Sequence, residues 1–237
     1  MMKFQIQNIA LPQYTGKVAI ASNIGPHHIK NNMPNQDYVG YAIEGQKIAF
    51  AVADGLGSCC FSNIGSKLAV ESVLELIKND IENYSTADIE NAICNNWKNS
   101  ISENRNDYST TLRFVIFTGT KIFVGGVGDG ATLLEGENFH SFKSDDMFTN
   151  CTYALCDTIQ NFSVKSFPVS KNEYRILIMT DGIANEIRKD AECDLVDYMT
   201  VLLSSEVCEQ EITEWIESLN NNNGDDKTLL MAVVKRN

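Results

Sequence analysis

The sequence predicts an α+β protein with two central antiparallel sheets flanked by helices. Short apolar stretches rich in Val, Ile and Phe recur along the chain at strand length. Segments with helical periodicity lie between groups of these stretches. The closest successive strands are joined by hairpin-length gaps, which favour antiparallel pairing over the long crossovers of a parallel sheet. Because no repeat or linker interrupts the pattern, we expect one domain over residues 1–237.

Six of the apolar stretches are predicted as strands because β-branched and aromatic residues dominate them and polar turn residues bound them. In chain order they are Lys17–Ala21, Ile48–Ala53, Thr111–Thr118, Ile122–Val127, Arg175–Thr180 and Thr228–Val234. The glycines of residues 125–130 superficially resemble a dinucleotide-binding loop. That loop requires a helix directly after it, whereas Ala131–Leu134 has a strand pattern, so nucleotide binding is not predicted.

Four segments carry apolar residues at helical spacing and are predicted as helices. They are Ser66–Asn79, Thr86–Asn104, Leu195–Leu203 and Glu211–Leu219. Ser85 stands three residues before Asp88, which is the pattern of a helix N-cap. The second helix is therefore expected to begin at this serine.

Composition excludes several classes of protein. The 19 Lys and Arg against 31 Asp and Glu give a formal net charge of −12, which argues against nucleic-acid binding. No apolar run reaches the roughly 20 residues of a membrane span, and the N-terminal residues lack the pattern of a signal peptide. The seven cysteines contain no CxxC pair, so we expect free thiols and no structural zinc. A cytoplasmic protein with no nucleic-acid or membrane partner is predicted.

Acidic residues lie next to the ends of predicted strands at four places. Asp54-Gly55, Asp129-Gly130 and Asp181-Gly182 each follow a predicted strand, and Asp225-Asp226 precedes the last one. Any single Asp-Gly pair is typical of an ordinary turn. Converging carboxylates repel one another unless cations lie among them, and oxygen ligands favour Mg²⁺ or Mn²⁺. Their recurrence therefore indicates a divalent metal site.

These motifs, in their order and spacing, resemble the metal-dependent serine/threonine protein phosphatases of type 2C, the PPM family. The resemblance runs through nearly the whole chain, and the Gln36-Asp37 pair is closer to the bacterial branch of the family. The motifs that carry it are Ser22–Asp37, Asp54–Ser58, Ser109–Leu112, Gly128–Gly130, Thr180–Gly182 and Asp225–Thr228.

The resemblance implies an α/β sandwich that hydrolyses phosphoserine or phosphothreonine at a binuclear Mn²⁺ or Mg²⁺ site, where a metal-activated water attacks phosphorus. It implies that Asp54 bridges two ions, that the Gly55 carbonyl binds the first, and that Asp181 and Asp225 complete the shell of the second. Asp37 is expected nearby, directly or through water. The resemblance assigns Asp129 to a third, weaker ion, partly with Asp181.

Several positions depart from the family pattern. His28 stands where many members carry a phosphate-binding arginine, so we predict that it contacts the phosphate, with a structural histidine as the alternative. With Asp54 and Asp181 it forms the predicted catalytic set. Leu56 replaces a histidine proposed as general acid in animal members. If the family motif aligns one residue later in this sequence, Asp226 is the ligand in place of Asp225.

The resemblance further implies a phosphorylated protein substrate, the target of a serine/threonine kinase, and we expect a monomer. A phosphatase-fold regulatory or binding module with weakened turnover is the alternative, and a metal phosphohydrolase of small molecules is a third reading. Residues 139–157 lack clear periodicity and coincide with a mobile flap of the family, or with an ordinary loop.

Overall fold

The computed structural model describes residues 2–143, 153–219 and 223–237. Its internal contacts divide the chain into two compact units. The first unit comprises Met1–Asn35, Gly130–Phe142 and Ser170–Asn237, and the second comprises Gln36–Asp129 and Lys143–Val169. Each unit contains one sheet with its own helices, which confirms the α+β class with two antiparallel sheets. The expectation of one domain over residues 1–237 stays a prediction.

The first unit is built on a six-stranded sheet of order β1-β2-β11-β10-β7-β8. Its strands are β1 Lys3–Ala10, β2 Tyr14–Asn23, β7 Ala131–Glu135, β8 Phe139–Lys143, β10 Glu173–Met179 and β11 Lys227–Arg236. Its helices are α1 Pro26–Lys30, α4 Asp181–Ala184, α5 Glu192–Leu203 and α6 Cys208–Leu219. Alternate residues of the central strands, such as Leu177 and Met231, pack against α5 and α6 and form an apolar core.

The second unit is built on a five-stranded sheet of order β3-β4-β5-β6-β9. Its strands are β3 Asp37–Glu44, β4 Lys47–Asp54, β5 Leu112–Phe117, β6 Lys121–Val127 and β9 Ser163–Pro168, and its helices are α2 Ser62–Leu76 and α3 Thr86–Asn99. Both helices cover one face of the sheet in an apolar core. Trp97 is fully buried there, and its indole N–H donates to the Gly65 carbonyl at 3.1 Å. A side chain at Gly65 would overlap the Tyr108 carbonyl, so α2 closely approaches the chain segment that contains Tyr108.

The six predicted strands are confirmed as β2, β4, β5, β6, β10 and β11, and the strand pattern at Ala131–Leu134 is confirmed as β7. The four strands that the sequence did not predict, β1, β3, β8 and β9, are the four edges of the two sheets. Edge strands have one unpaired side and face water, so they need no continuous apolar run. Each of β1 and β3 has one buried residue, and β8 and β9 have none.

All four predicted helices are confirmed, with shifted ends. Ser85 accepts from the Asp88 backbone at 3.2 Å, and the Asp88 carboxylate accepts from the Ser85 backbone at 2.8 Å, a complete capping box. The helix ends at Asn99 instead of Asn104, and a 3-10 turn follows at Arg105–Tyr108. No helix within the described ranges is long and apolar enough to span a membrane.

The predicted flap falls partly on residues 144–152, which lie outside the described residues. Within the predicted flap over residues 139–157, the first residues form β8. The flap itself stays a prediction.

Candidate active site

Two candidate ligands of the second unit lie opposite each other. Asp54 is the last residue of β4, and its register partner Asp37 is the first residue of β3. Asp37 is buried, and its Oδ1 atom is closed to solvent. The end of β4 is tied to the chain before β5, since the Asp54 carbonyl accepts from the Thr111 N–H at 2.7 Å and from the Thr110 hydroxyl at 2.8 Å. The Asp54 N–H donates to the Thr111 hydroxyl at 3.0 Å. The two threonines therefore hold the backbone that carries Asp54.

Gly55 follows in a confined position. Its N–H donates to the Gln36 carbonyl at 3.1 Å, and the same carbonyl accepts from the Ser66 hydroxyl at 2.6 Å. A Cβ atom at Gly55 would lie 2.6 Å from the Ser62 carbonyl carbon, so only glycine fits here. The main-chain carbonyl of Gln36 thus positions the start of the Asp54-Gly55 turn.

Asp129 lies in a tight turn in which the preceding residue, Gly128, contacts a buried arginine. Gly128 and Gly130 have φ values of +82° and +96°, which favour glycine on both sides of it. Arg113, the second residue of apolar β5, donates from Nη2 to the Gly128 carbonyl at 2.5 Å. Burial lowers the pKa of Arg113 to about 10, and the charge of Asp129 opposes that shift. Sequence reasoning missed this arginine, although a charge inside an apolar strand was the available signal.

Asp181 begins α4, directly after β10 in the first unit. Thr180 anchors this turn to β11, since its N–H donates to the Thr228 carbonyl and its hydroxyl accepts from the Thr228 N–H, both at 3.1 Å. The Oδ1 atom of Asp181 is closed to solvent. A Cβ atom at Gly182 would overlap the Asp226 carbonyl. The Asp181-Gly182 turn is therefore packed directly against the segment that precedes β11.

The adjacent Asp225 and Asp226 occupy different environments. Asp226 is 2% exposed; its Oδ1 accepts from the Gly25 N–H at 2.7 Å, and its Oδ2 lies 2.8 Å from Nδ1 of His28. His28 is also buried. Asp225 is exposed, and its Oδ1 accepts from the Asp226 N–H at 2.9 Å. The structure thus places His28 against Asp226, with both carboxylate oxygens of Asp226 engaged inside the protein.

Lys227 is a fully buried lysine that sequence reasoning did not single out. Its ammonium donates to the Asn223 carbonyl at 3.2 Å, to the Asn223 side-chain oxygen at 2.8 Å and to the Asp225 carbonyl at 2.9 Å. The Asn223 amide in turn donates to the Gly182 carbonyl at 3.1 Å and to Glu186 at 2.8 Å. This network connects the Asp225 segment to α4.

The candidate ligands are carboxylates and one backbone carbonyl, which are hard oxygen donors of the kind that Mn²⁺ and Mg²⁺ prefer. One carboxylate oxygen of Asp37 and one of Asp181 are closed to solvent. Over the ranges that the structure covers, no three His, Cys, Asp or Glu side chains form a metal-binding group by themselves. The metal-ligand assignments stay predictions.

Comparison with known proteins gives a family match and a fold match. A sequence model described as Protein phosphatase 2C matches residues 24–217. The fold is similar to that of RsbX in complex with magnesium, with a TM-score of 0.63, 16% identity, and coverage of 98% of this chain and 100% of that chain. No curated protein sequence matches.

Two bacterial phosphatases show the same likeness of fold. The catalytic domain of the serine threonine protein phosphatase PstP in complex with two manganese ions has a TM-score of 0.62 at 15% identity, over 99% of this chain and 98% of that chain. Serine/threonine phosphatase Stp1 from Staphylococcus aureus has a TM-score of 0.60 at 14% identity, over 98% and 94%. Since the family model covers most of the sequence, the chain belongs to the protein phosphatase 2C family.

Proposed function

We propose that the protein is a serine/threonine phosphatase that hydrolyses phosphoserine or phosphothreonine on a protein partner at a site containing Mn²⁺ or Mg²⁺. The observation that carries the proposal is the retention of every acidic motif position in a chain of the protein phosphatase 2C family. A scaffold with no metal has no physical need for so many carboxylates at strand ends, because like charges raise the free energy of the fold.

We assign the metal ligands from the family motifs. Asp54 would be the shared ligand, and the Gly55 carbonyl, Asp37, Asp181 and Asp225 would be the other donors. When bound, two divalent ions lower the pKa of a solvent water and stabilise the charge that develops on phosphoryl oxygens. The protein positions the ligand oxygens before the metal ions bind.

Asp225 is preferred to Asp226 as the ligand because of their different surroundings. Both oxygens of Asp226 are engaged, by Gly25 and by His28, whereas Asp225 is exposed. Recruitment of Asp226 by an ion would break two buried hydrogen bonds, each of which is costly to lose in a protein interior. Asp225 can turn toward an ion at lower cost.

His28 is assigned to the substrate phosphate, with Asp226 as its positioning residue. The contact to Oδ2 places the ring hydrogen of Nδ1 on the Asp226 side. Nε2 then donates a hydrogen bond to a phosphate oxygen only when the ring is doubly protonated. In the neutral ring, Nε2 has a lone pair and accepts a hydrogen bond from a hydroxyl instead. The pairing therefore permits a phosphate contact or a contact to the leaving hydroxyl, depending on protonation.

A second candidate function is a regulatory or binding module with weakened turnover. The observation that favours it is the substitution of a single imidazole, already engaged by Asp226, for the two-pronged guanidinium that many family members use. Titration calorimetry with Mn²⁺ separates the two functions. Metal binding without release of phosphate would support the regulatory or binding module. Turnover of a phosphopeptide would exclude it.

The direct test of the proposal uses Asp54→Asn and Asp181→Asn, assayed by Mn²⁺-dependent phosphate release from a phosphothreonine peptide. We expect each variant to lose more than about 100-fold in kcat/KM, because removing a residue that only orients a metal ligand already costs up to about 100-fold. The matched control is Asp190→Asn, whose side chain is 76% exposed, and it should retain activity. Undiminished activity of both active-site variants would exclude the assignment.

The expected substrates are proteins phosphorylated by a serine/threonine kinase. The expectations of a cytoplasmic location, of a monomer and of no nucleic-acid binding come from the sequence and stay predictions.

A further inference from the structure

Arg113 is the buried cation of the second unit that the proposed chemistry does not use. Its neighbours in β5, Leu112 and Phe114, belong to the apolar core against α2 and α3. Because side chains alternate along a strand, Arg113 lies on the opposite face of the sheet. It is only 7% exposed, so its guanidinium is largely removed from water.

The guanidinium is directed to the turn that carries Asp129. In the sheet register Arg113 pairs with Gly126, and its Nη2 reaches the Gly128 carbonyl at 2.5 Å. Its Nε is buried and has no hydrogen-bond partner in the described part of the chain. The carboxylate of Asp129 acts on it electrostatically.

A buried arginine requires a negative partner, because an isolated charge in a protein interior is very unfavourable. The guanidinium donates to the carbonyl of Gly128, and the next residue, Asp129, is the acidic residue nearest to that contact along the chain. A divalent ion at Asp129 would lie beside the fixed positive charge of the guanidinium and would be repelled by it. The donor set around Asp129 therefore does not fit an additional ion, in contrast to the oxygens around Asp54 and Asp181.

We propose that Arg113 is the permanent counter-ion of Asp129, so that a cation of the chain itself takes the place of the third, weaker metal ion. The protein then binds two divalent ions and no third. The expectation of two bound ions rests on the proposed function, whereas the pairing of Arg113 with Asp129 does not.

The metal part of the test is equilibrium dialysis of the purified chain against Mn²⁺. We expect two ions per chain in the wild type and two in Asp129→Asn. Arg113→Met, which keeps Asp129 and removes the guanidinium, should gain weak binding of a further ion. Three ions in the wild type and two in Asp129→Asn would overturn the proposal, and this comparison needs no Arg113 variant to fold.

The second part is a thermal double-mutant cycle in excess chelator, with no metal present. Asp129→Asn should lower Tm by about 6 °C or more, because it leaves a buried guanidinium unpaired. The double variant Arg113→Met/Asp129→Asn should recover at least half of that loss, since neither charge remains. The matched control is the surface pair Arg105–Asp157, at 3.3 Å, where the same cycle should give little coupling.

Coupling between Arg113 and Asp129 no larger than in the control pair would also overturn the proposal. Absence of any Mn²⁺ binding to the wild type would contradict the proposed function instead. The thermal cycle would still decide the role of Arg113 in that case.

Discussion

The two units hold their acidic segments by different means. In the second unit, the main chain at Asp54 and Gly55 is fixed by neighbouring strands and by the hydroxyls of Thr110 and Thr111. In the first unit, the segment before β11 is fixed mainly by side chains. Lys227 holds its backbone and His28 contacts Asp226.

The difference has a physical origin. Asp54 ends a central strand, so sheet register already determines its position. Asp225 lies in irregular chain before β11, where no strand partner fixes the backbone. The first unit is therefore where single side chains control the geometry of the proposed ligands, and four predictions test this contrast.

The largest effect is expected from Gly182→Ala. The new Cβ would overlap the Asp226 carbonyl and push Asp181 away from the segment before β11. A displacement of about 1 Å at a catalytic site costs about 100-fold in rate, so we expect a loss of that order in phosphate release at saturating Mn²⁺. The control is Gly45→Ala in the β3–β4 turn, where a Cβ meets nothing within 4 Å. Gly45 has a φ of +60°, so the control should lose about 1 kcal/mol of stability and no activity.

The next effect concerns Lys227→Met, which removes the ammonium and leaves the carbonyls of Asn223 and Asp225 without this donor. We expect the free energy of unfolding to fall by about 2 to 3 kcal/mol, measured in urea. The control is Lys235→Met, whose side chain is 56% exposed beside Glu173 and should change stability by less than about 1 kcal/mol. Equal effects of the two substitutions would contradict the view that side chains hold this segment.

A smaller effect is expected from Asp226→Asn and from His28→Ala. Each should raise KM for a phosphothreonine peptide about tenfold and change kcat less, because orientation of the phosphate contact is lost. Asparagine still accepts from the Gly25 N–H, so Asp226→Asn should fold normally. An unchanged KM in both variants would indicate a merely structural histidine.

The smallest effect concerns the capping box of α3, which is remote from Asp54 in sequence and purely local. Ser85→Ala should lower Tm by about 3 °C at pH 7 and leave activity unchanged. The hydrogen bonds from Ser85 hold the pKa of Asp88 below its ordinary value of 3.8. The stability that Asp88 contributes is therefore complete above pH 3.8 and is lost as pH falls through the folded-state pKa. The Tm loss in Ser85→Ala should shrink in scans below pH 4.

The sequence could predict the strands whose burial demands continuous apolar runs, together with the motif positions at their ends. It could not predict the edge strands of the two sheets, since strands such as β1 and β9 are mostly exposed and contain both polar and apolar residues. Nor could it choose between Asp225 and Asp226, which are neighbours in sequence and differ only in burial and partners. Arg113 and Lys227 were missed because the sequence does not show what a single charge in a strand contacts: Arg113 reaches Gly128, and Lys227 folds back onto Asn223 and Asp225.

The most direct test of the central claim is phosphate release from a phosphothreonine peptide by protein that has first been stripped with chelator. The stripped protein should release no phosphate above background, and added Mn²⁺ should restore release in the wild type but not in Asp54→Asn. Release that persists in excess chelator, or no release at any Mn²⁺ concentration, would contradict a metal-dependent phosphatase.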